Sequence, residues 1–214
     1  TLMTAFDKQF PMDQIPDYEP SFEASIAGIA ESTNKTVMEV LYEELLKNDG
    51  KTFVWAPFSP YPDHNLDTYK MMMEFESSVA GLSDGGAHCG LICDASMPTW
   101  NVAHYTRDRV KGKKIPLEFL VRKQTKETAE TFGLMDRGQI KEGYMADINI
   151  IDHDNLCVYK PEMVHDLPTG SRRIIQKAGG YIATIKSGVV TFKNDEATGE
   201  LPGTLIRGEQ TAAA

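Results

Sequence analysis

The densest set of reactive residue types is the run Gly81-Leu82-Ser83-Asp84-Gly85-Gly86-Ala87-His88. A carboxylate can take up and return protons, and a histidine can donate a hydrogen bond. Paired glycines let backbone approach a ligand closely. The apolar stretch leading in, residues 79–82, predicts a strand carrying Asp84 at its C-terminal tip. A barrel enzyme builds its active-site rim at such a tip. Taken alone, an Asp before two glycines is a turn residue or a helix cap.

Other reactive types are scattered. Cys89 and Cys93 are four apart, but no third Cys or paired His completes a zinc pattern, so both read as packed thiols. Arg107-Asp108-Arg109 reads as an ion-pair network that holds a loop, and either arginine could fork onto a substrate carboxylate. The surrounding basic cluster, residues 107–114, reads by itself as a solvated loop. His104 reads as packed beside Tyr105, and His64, His153 and His165 as surface or structural groups. No G-x-S-x-G elbow is present, and Ser83 is followed by Asp, which argues against a serine nucleophile.

The elements that must position the Asp84 run follow from periodicity. Three prolines keep residues 1–20 out of a continuous helix. Ser21 reads as an N-cap, and residues 25–30 as a short helix. Asn34 or Thr36 starts a stronger helix whose Val37, Val40, Leu41, Leu45 and Leu46 share a face, closed by Asn48-Asp49-Gly50. Residues 52–58 predict a buried strand. Residues 66–76 predict a helix, with Met71, Met72 and Met73 filling core. The order helix, strand, helix, strand favours parallel crossover units. Pro116 opens a further helix, and residues 125–132 a second one closed by Gly133. Beyond Gln139 the texture turns to β: residues 147–152, then a hairpin of residues 181–185 and 189–192 joined by Lys186-Ser187-Gly188.

Composition bounds the class. A 214-residue chain with 41% hydrophobic and 25% charged residues has a globular composition. A net charge of −9 argues against a broad nucleic-acid or anionic-membrane surface. No apolar run approaches the roughly 18–20 residues of a membrane span. Three cysteines make no disulfide framework, and a reducing cytoplasm is the expected home. Thr1 in place of Met points to a processed chain or a fragment.

Taken in order, the motifs resemble the amidohydrolase superfamily, in its D-aminoacylase-like branch. Residues 81–88 resemble the last barrel strand and its loop. Ala103-His104-Tyr105-Thr106-Arg107-Asp108-Arg109 is similar to a segment of N-acyl-D-amino-acid deacylases. Residues 124–134, then Arg137-Gly138-Gln139-Ile140 and Tyr144-Met145-Ala146-Asp147-Ile148, resemble the tail of the superfamily, as do the closing hairpin and the glycines of residues 198–208. The resemblance runs from about residue 18 to residue 208.

The resemblance implies an α/β fold: the C-terminal part of a metal-dependent (β/α)8 barrel over residues 1–138, then a small β-sandwich module over 139–208 and a disordered tail over 209–214. It implies hydrolysis of a linear amide, an N-acyl-D-amino acid, with one or two zinc ions. Asp84 would serve as general base and acid and as a metal ligand. His88, Gly85, Gly86 and Arg109 would face the substrate. The family's other ligands should precede Asp84, yet His64 is the sole histidine before His88. The implied partners are a small-molecule substrate and either the missing N-terminal barrel portion or a second copy. The alternative is a non-catalytic association module or truncated remnant.

Overall fold

A computed structural model describes residues 4–58, 61–81, 83 and 88–211. The chain divides into two compact units, Thr1–Tyr69 and Lys70–Ala214.

The first unit begins with a 3-10 turn, Phe6–Lys8, and a short strand β1 (Phe10–Pro11). Ser21 precedes another 3-10 turn, Phe22–Ala24, and the true cap of the first helix is Ser25. Its Oγ accepts the Gly28 amide at 3.0 Å and starts α1 (Ile26–Thr33). A side chain at Gly28 would meet the Phe22 carbonyl oxygen at 2.3 Å, so only glycine lets α1 approach this turn so closely. Asn34, at φ 55°, ends α1 in the left-handed conformation.

Thr36 and Glu39 form a capping box at the start of α2 (Val37–Gly50). Thr36 N–H donates to Glu39 Oε2 at 2.8 Å, and Glu39 N–H donates to Thr36 Oγ1 at 3.2 Å. Helical geometry breaks at Lys47, and the expected turn follows with positive φ at Asn48, Asp49 and Gly50. Ile26, Ala30 and Val40 form the core, backed by Phe6, Ile29, Val37, Leu41 and Val54. The expected apolar face of α2 is covered only at its start. Leu45 and Leu46 are exposed: they are the ninth and tenth residues of α2, beyond the eight-residue length of α1.

The strand expected at 52–58 shrinks to β2 (Val54–Trp55), antiparallel to β1. Its partner is two residues long and includes Pro11, which has no N–H to extend the ladder. A T-shaped aromatic group surrounds the pair. Tyr61, 1% exposed, donates its hydroxyl to the Pro20 carbonyl at 2.8 Å, and the His64 ring packs against Tyr61 and Phe22.

Helix α3 (Asp67–Glu74) corrects the reading of the methionines. Leu66, Tyr69, Lys70 and Met73 make the less exposed stripe at helical spacing, which leaves Met71 and Met72 on the outside. The expected strand at 79–82 does not form in its described part: Val79, Ala80 and Gly81 join no sheet, and Leu82 lies outside the described residues.

Helix α4 (Met97–Ala103) runs on into a π-helical segment, His104–Asp108. The two helices expected after Pro116 are one rod: α5 (Leu117–Arg122), a π-helical segment Lys123–Glu127, and α6 (Thr128–Thr131), ending near Gly133 at φ 71°. The wider π turn carries the chain past residues 123–127 without a break.

The β region comprises β3 (Ile148–Ile151), β4 (Cys157–Val158), β5 (Glu162–Val164), β6 (Arg173–Ile175), β7 (Ala178–Gly179), β8 (Tyr181–Lys186), β9 (Val189–Lys193) and β10 (Glu196–Ala197). One sheet has the order β10-β9-β8-β3, while β4 pairs with β7 and β5 with β6. The expected β8–β9 hairpin is present. Ser187 and Gly188, at φ 53° and 80°, supply the two positive values that a two-residue turn of matching twist requires.

Every described strand pair is antiparallel, and no closed barrel is seen among the described residues. The expected parallel crossovers are absent there because β2 spends its ladder on β1 and residues 79–81 stay unpaired. One isolated parallel bridge joins Leu134 to Gln210, and the Gln210 amide donates to Gly133 at 2.8 Å. No described helix is long and apolar enough to cross a membrane.

Candidate functional site

Asp84, Gly85 and Gly86 lie outside the described residues. Each flank of their run is tied to a different element of the second unit.

The upstream flank is held by the rod of residues 117–131. Lys123 is 3% exposed, and its ammonium donates to the carbonyls of Phe75 at 3.1 Å and Ser78 at 2.5 Å. Glu127 Oε2, one turn on, pairs with the same ammonium at 3.0 Å. Thr128 Oγ1 donates to the Ala80 carbonyl at 3.1 Å. Ser78 Oγ turns back to the carbonyls of Met72 at 2.6 Å and Phe75 at 2.8 Å. The last carbonyls of a helix have no donors within it. Here a serine serves the Met72 carbonyl in the last turn of α3, a buried cation serves carbonyls just beyond it, and the cation also suits the negative end of the helix dipole.

The downstream flank begins at His88, an exposed residue at φ 52°. Its carbonyl accepts the amides of Leu91 at 2.7 Å and Ile92 at 2.9 Å, which closes a tight turn. The next carbonyl, of Cys89, accepts the Ile174 amide of β6 at 2.6 Å. Cys93 is half-buried, and desolvation aided by the Asp94 charge pushes its thiol up to about 11. It is a packed, unreactive thiol at neutral pH. Ser96 Oγ bonds Gln176, and Thr99 Oγ1 bonds the Tyr181 hydroxyl at 2.7 Å, which fixes α4 to the strands.

The arginines serve the loop after α4. Arg107 forks onto Asp108, which raises its pKa, and also donates to the carbonyls of His153 and Leu156. Arg109 is 1% exposed. Its guanidinium lies 5.5 Å from the centre of the Tyr105 ring, and Nη1 donates to the Lys113 carbonyl at 3.1 Å. The basic cluster is therefore not a wholly solvated loop: its two arginines are folded inward. His104 stacks on Trp100 with ring centres 4.3 Å apart. His88 opens the turn of residues 88–92, and Arg109 sits in the loop after α4.

Residues 54–192, more than half of the chain, match the profile described as the Amidohydrolase family. The chain belongs to the amidohydrolase family. It is similar to a D-aminoacylase from Alcaligenes xylosoxydans xylosoxydans, at 32% identity over 105 residues, which cover 49% of this chain and 19% of that protein. This amidohydrolase chain thus matches about a fifth of the length of its curated relative. No solved structure matches it.

Members of the amidohydrolase family generally hold a metal. Among the described residues no three His, Cys, Asp or Glu side chains converge on a point where an ion could sit. His64 Nε2 sits 3.0 Å from the Asp7 carbonyl oxygen, and His153 Nε2 sits 2.7 Å from Thr106 Oγ1. The described side chains therefore do not fit a metal centre.

Sequence reasoning missed Lys123 and Thr128. One signal was available: Lys123 lies three residues after Leu120, on the stripe that the helix buries. An ionisable side chain on that stripe must find partners.

Proposed function

We propose that this chain is the C-terminal part of a metal-dependent amidohydrolase that hydrolyses a linear amide, an N-acyl-D-amino acid. In this reading residues 1–138 complete the barrel, 139–208 form the small β module, and 209–214 are its tail. The supporting observation is the family match across residues 54–192, which includes position 84. The D-aminoacylase relative supports the substrate class.

Hydrolysis adds water across the C–N bond. Asp84, as carboxylate, takes a proton from the attacking water as its oxygen bonds the carbonyl carbon. It returns that proton to the nitrogen as the C–N bond breaks, releasing a carboxylic acid and an amine, and the acid's remaining proton passes to the amine to give carboxylate and ammonium. Gly85 and Gly86 give the substrate close access to backbone. His88 donates to the substrate carboxylate or to the oxygen that gains charge, and Arg109 contributes from its buried position. One or two zinc ions belong to the intact enzyme, with Asp84 the ligand supplied here and the others held outside this stretch.

A second reading is that the chain alone is an association module needing the rest of the barrel. The exposed apolar side chains of α2, Met38, Tyr42, Leu45 and Leu46, favour a covering partner.

The test is turnover of N-acetyl-D- and N-acetyl-L-amino acids by the intact polypeptide. Asp84→Asn should lower kcat by about 10²–10⁴-fold. Normal turnover in that variant removes Asp84 from the mechanism. Stoichiometric zinc and full turnover in the chain alone remove the second reading.

A further inference from the structure

An N-acyl amino acid carries a carboxylate beside its amide, and a planar guanidinium meets a carboxylate with two parallel hydrogen bonds. The arginines of the loop after α4 are already committed. Arg107 forks onto Asp108, and Arg109 is 1% exposed.

The β5–β6 hairpin brings two other arginines to the His88 turn. The Ile174 amide of β6 donates to the Cys89 carbonyl at 2.6 Å, so the start of β6 lies against that turn. Arg173 is neutralised there: its Nε and Nη2 donate to the two oxygens of Asp166, at 2.7 Å each. Arg172 is exposed and has no ion pair among the described residues. A Cβ at Gly90 would stand 4.0 Å from Arg172 Nε and meet nothing else within 4 Å. The guanidinium therefore lies beside the second residue after His88, and a glycine there leaves it uncovered.

We infer that Arg172 is a specificity-determining residue, the group that receives the substrate carboxylate. The inference rests on the reading of the reaction given above, in which His88 faces the substrate. An arginine with no carboxylate of its own offers its whole fork to a ligand, whereas Arg173 would first have to release Asp166. Net charge adds to the need. A chain of −9 repels an anionic substrate, so its carboxylate requires a local cation. With the carboxylate on Arg172, His88 is left for the oxygen that gains charge.

A contact made equally in the bound substrate and in the transition state sets KM and leaves kcat alone. The experiment compares Arg172→Met and Arg172→Lys with the parent in the intact polypeptide. The substrates are N-acetyl-D-leucine and its carboxamide, which lacks the negative charge. An NMR titration with N-methanesulfonyl-D-leucine, which keeps the carboxylate and has no amide to cleave, reads binding without turnover.

Arg172→Met should raise KM for N-acetyl-D-leucine at least tenfold, with kcat within twofold and the Kd of the sulfonamide raised by the same factor. The carboxamide should be turned over equally by parent and variant. Arg172→Lys, which keeps the charge and loses the fork, should fall between the two.

Unchanged KM and Kd in Arg172→Met overturn the inference. So does an equal loss on the acid and the carboxamide, which marks a merely structural role, and so does a parent that does not bind the sulfonamide. A parent that binds it through Arg172 yet hydrolyses neither substrate overturns the proposed reaction and upholds the carboxylate site.

Discussion

The Asp147 carboxylate accepts the amide of Ser187 at 2.9 Å, across forty positions of chain. The contact locks the turn between β8 and β9 to the start of β3. Lys186 adds an ion pair to the same oxygen at 2.9 Å, and Arg137 approaches the other at 3.4 Å.

Partial burial pushes the Asp147 carboxyl up, but the Ser187 amide and the Lys186 and Arg137 charges outweigh this and hold it below the usual carboxylate range. A lowered value in the folded state adds stability above the unfolded carboxylate range, about pH 4, and loses it as pH falls through the lower folded value. Asp147→Asn should cost about 1–2 kcal/mol at pH 7. Urea unfolding at pH 7 and below pH 4 should show that gap close in acid.

Gly138 and Gly188 share a positive φ, 84° and 80°, but not their surroundings. A Cβ at Gly138 would stand 2.9 Å from Lys126 Cα and 3.0 Å from the Lys126 nitrogen, both backbone atoms that cannot yield. A Cβ at Gly188 meets nothing within 4 Å. Gly138→Ala should therefore cost roughly 2 kcal/mol or more, from strain and overlap together. Gly188→Ala should cost about 1 kcal/mol, from strain alone. Thermal unfolding of the pair separates the two contributions.

Cys93 offers a chemical check on the packing below the His88 turn. With its thiol pushed up to about 11, the reactive thiolate is scarce at pH 8. Alkylation followed by peptide mass spectrometry should find Cys93 at least tenfold slower in the folded chain than in urea. Its folded-state rate should rise about tenfold per pH unit beyond pH 9, where an ordinary thiol has levelled off.

What the sequence disclosed was local. The Ser187-Gly188 turn between β-branched runs and a helix start at Asn34 or Thr36 were readable because neighbouring residues decide them. The family was readable because its motifs keep their order along the chain. The strand at 52–58 misled because strand length depends on a partner, and β1 supplies only two residues. The methionines of α3 misled because three in a row must straddle two faces of a helix, and only Met73 lies on the inner stripe. Lys123 was invisible as an anchor because its acceptors lie 45 and 48 positions away.

The two π-helical segments, His104–Asp108 and Lys123–Glu127, carry a consequence for descent. A π turn holds one residue more than the regular helix and advances the following side chains by about 100°. Single-residue gaps between relatives should therefore fall at these two places. Deleting one residue there would keep each rod helical yet rotate Thr128 and Ala129 off the face they now present. An amidohydrolase chain lacking either extra residue would need a different set of side chains for the same contacts.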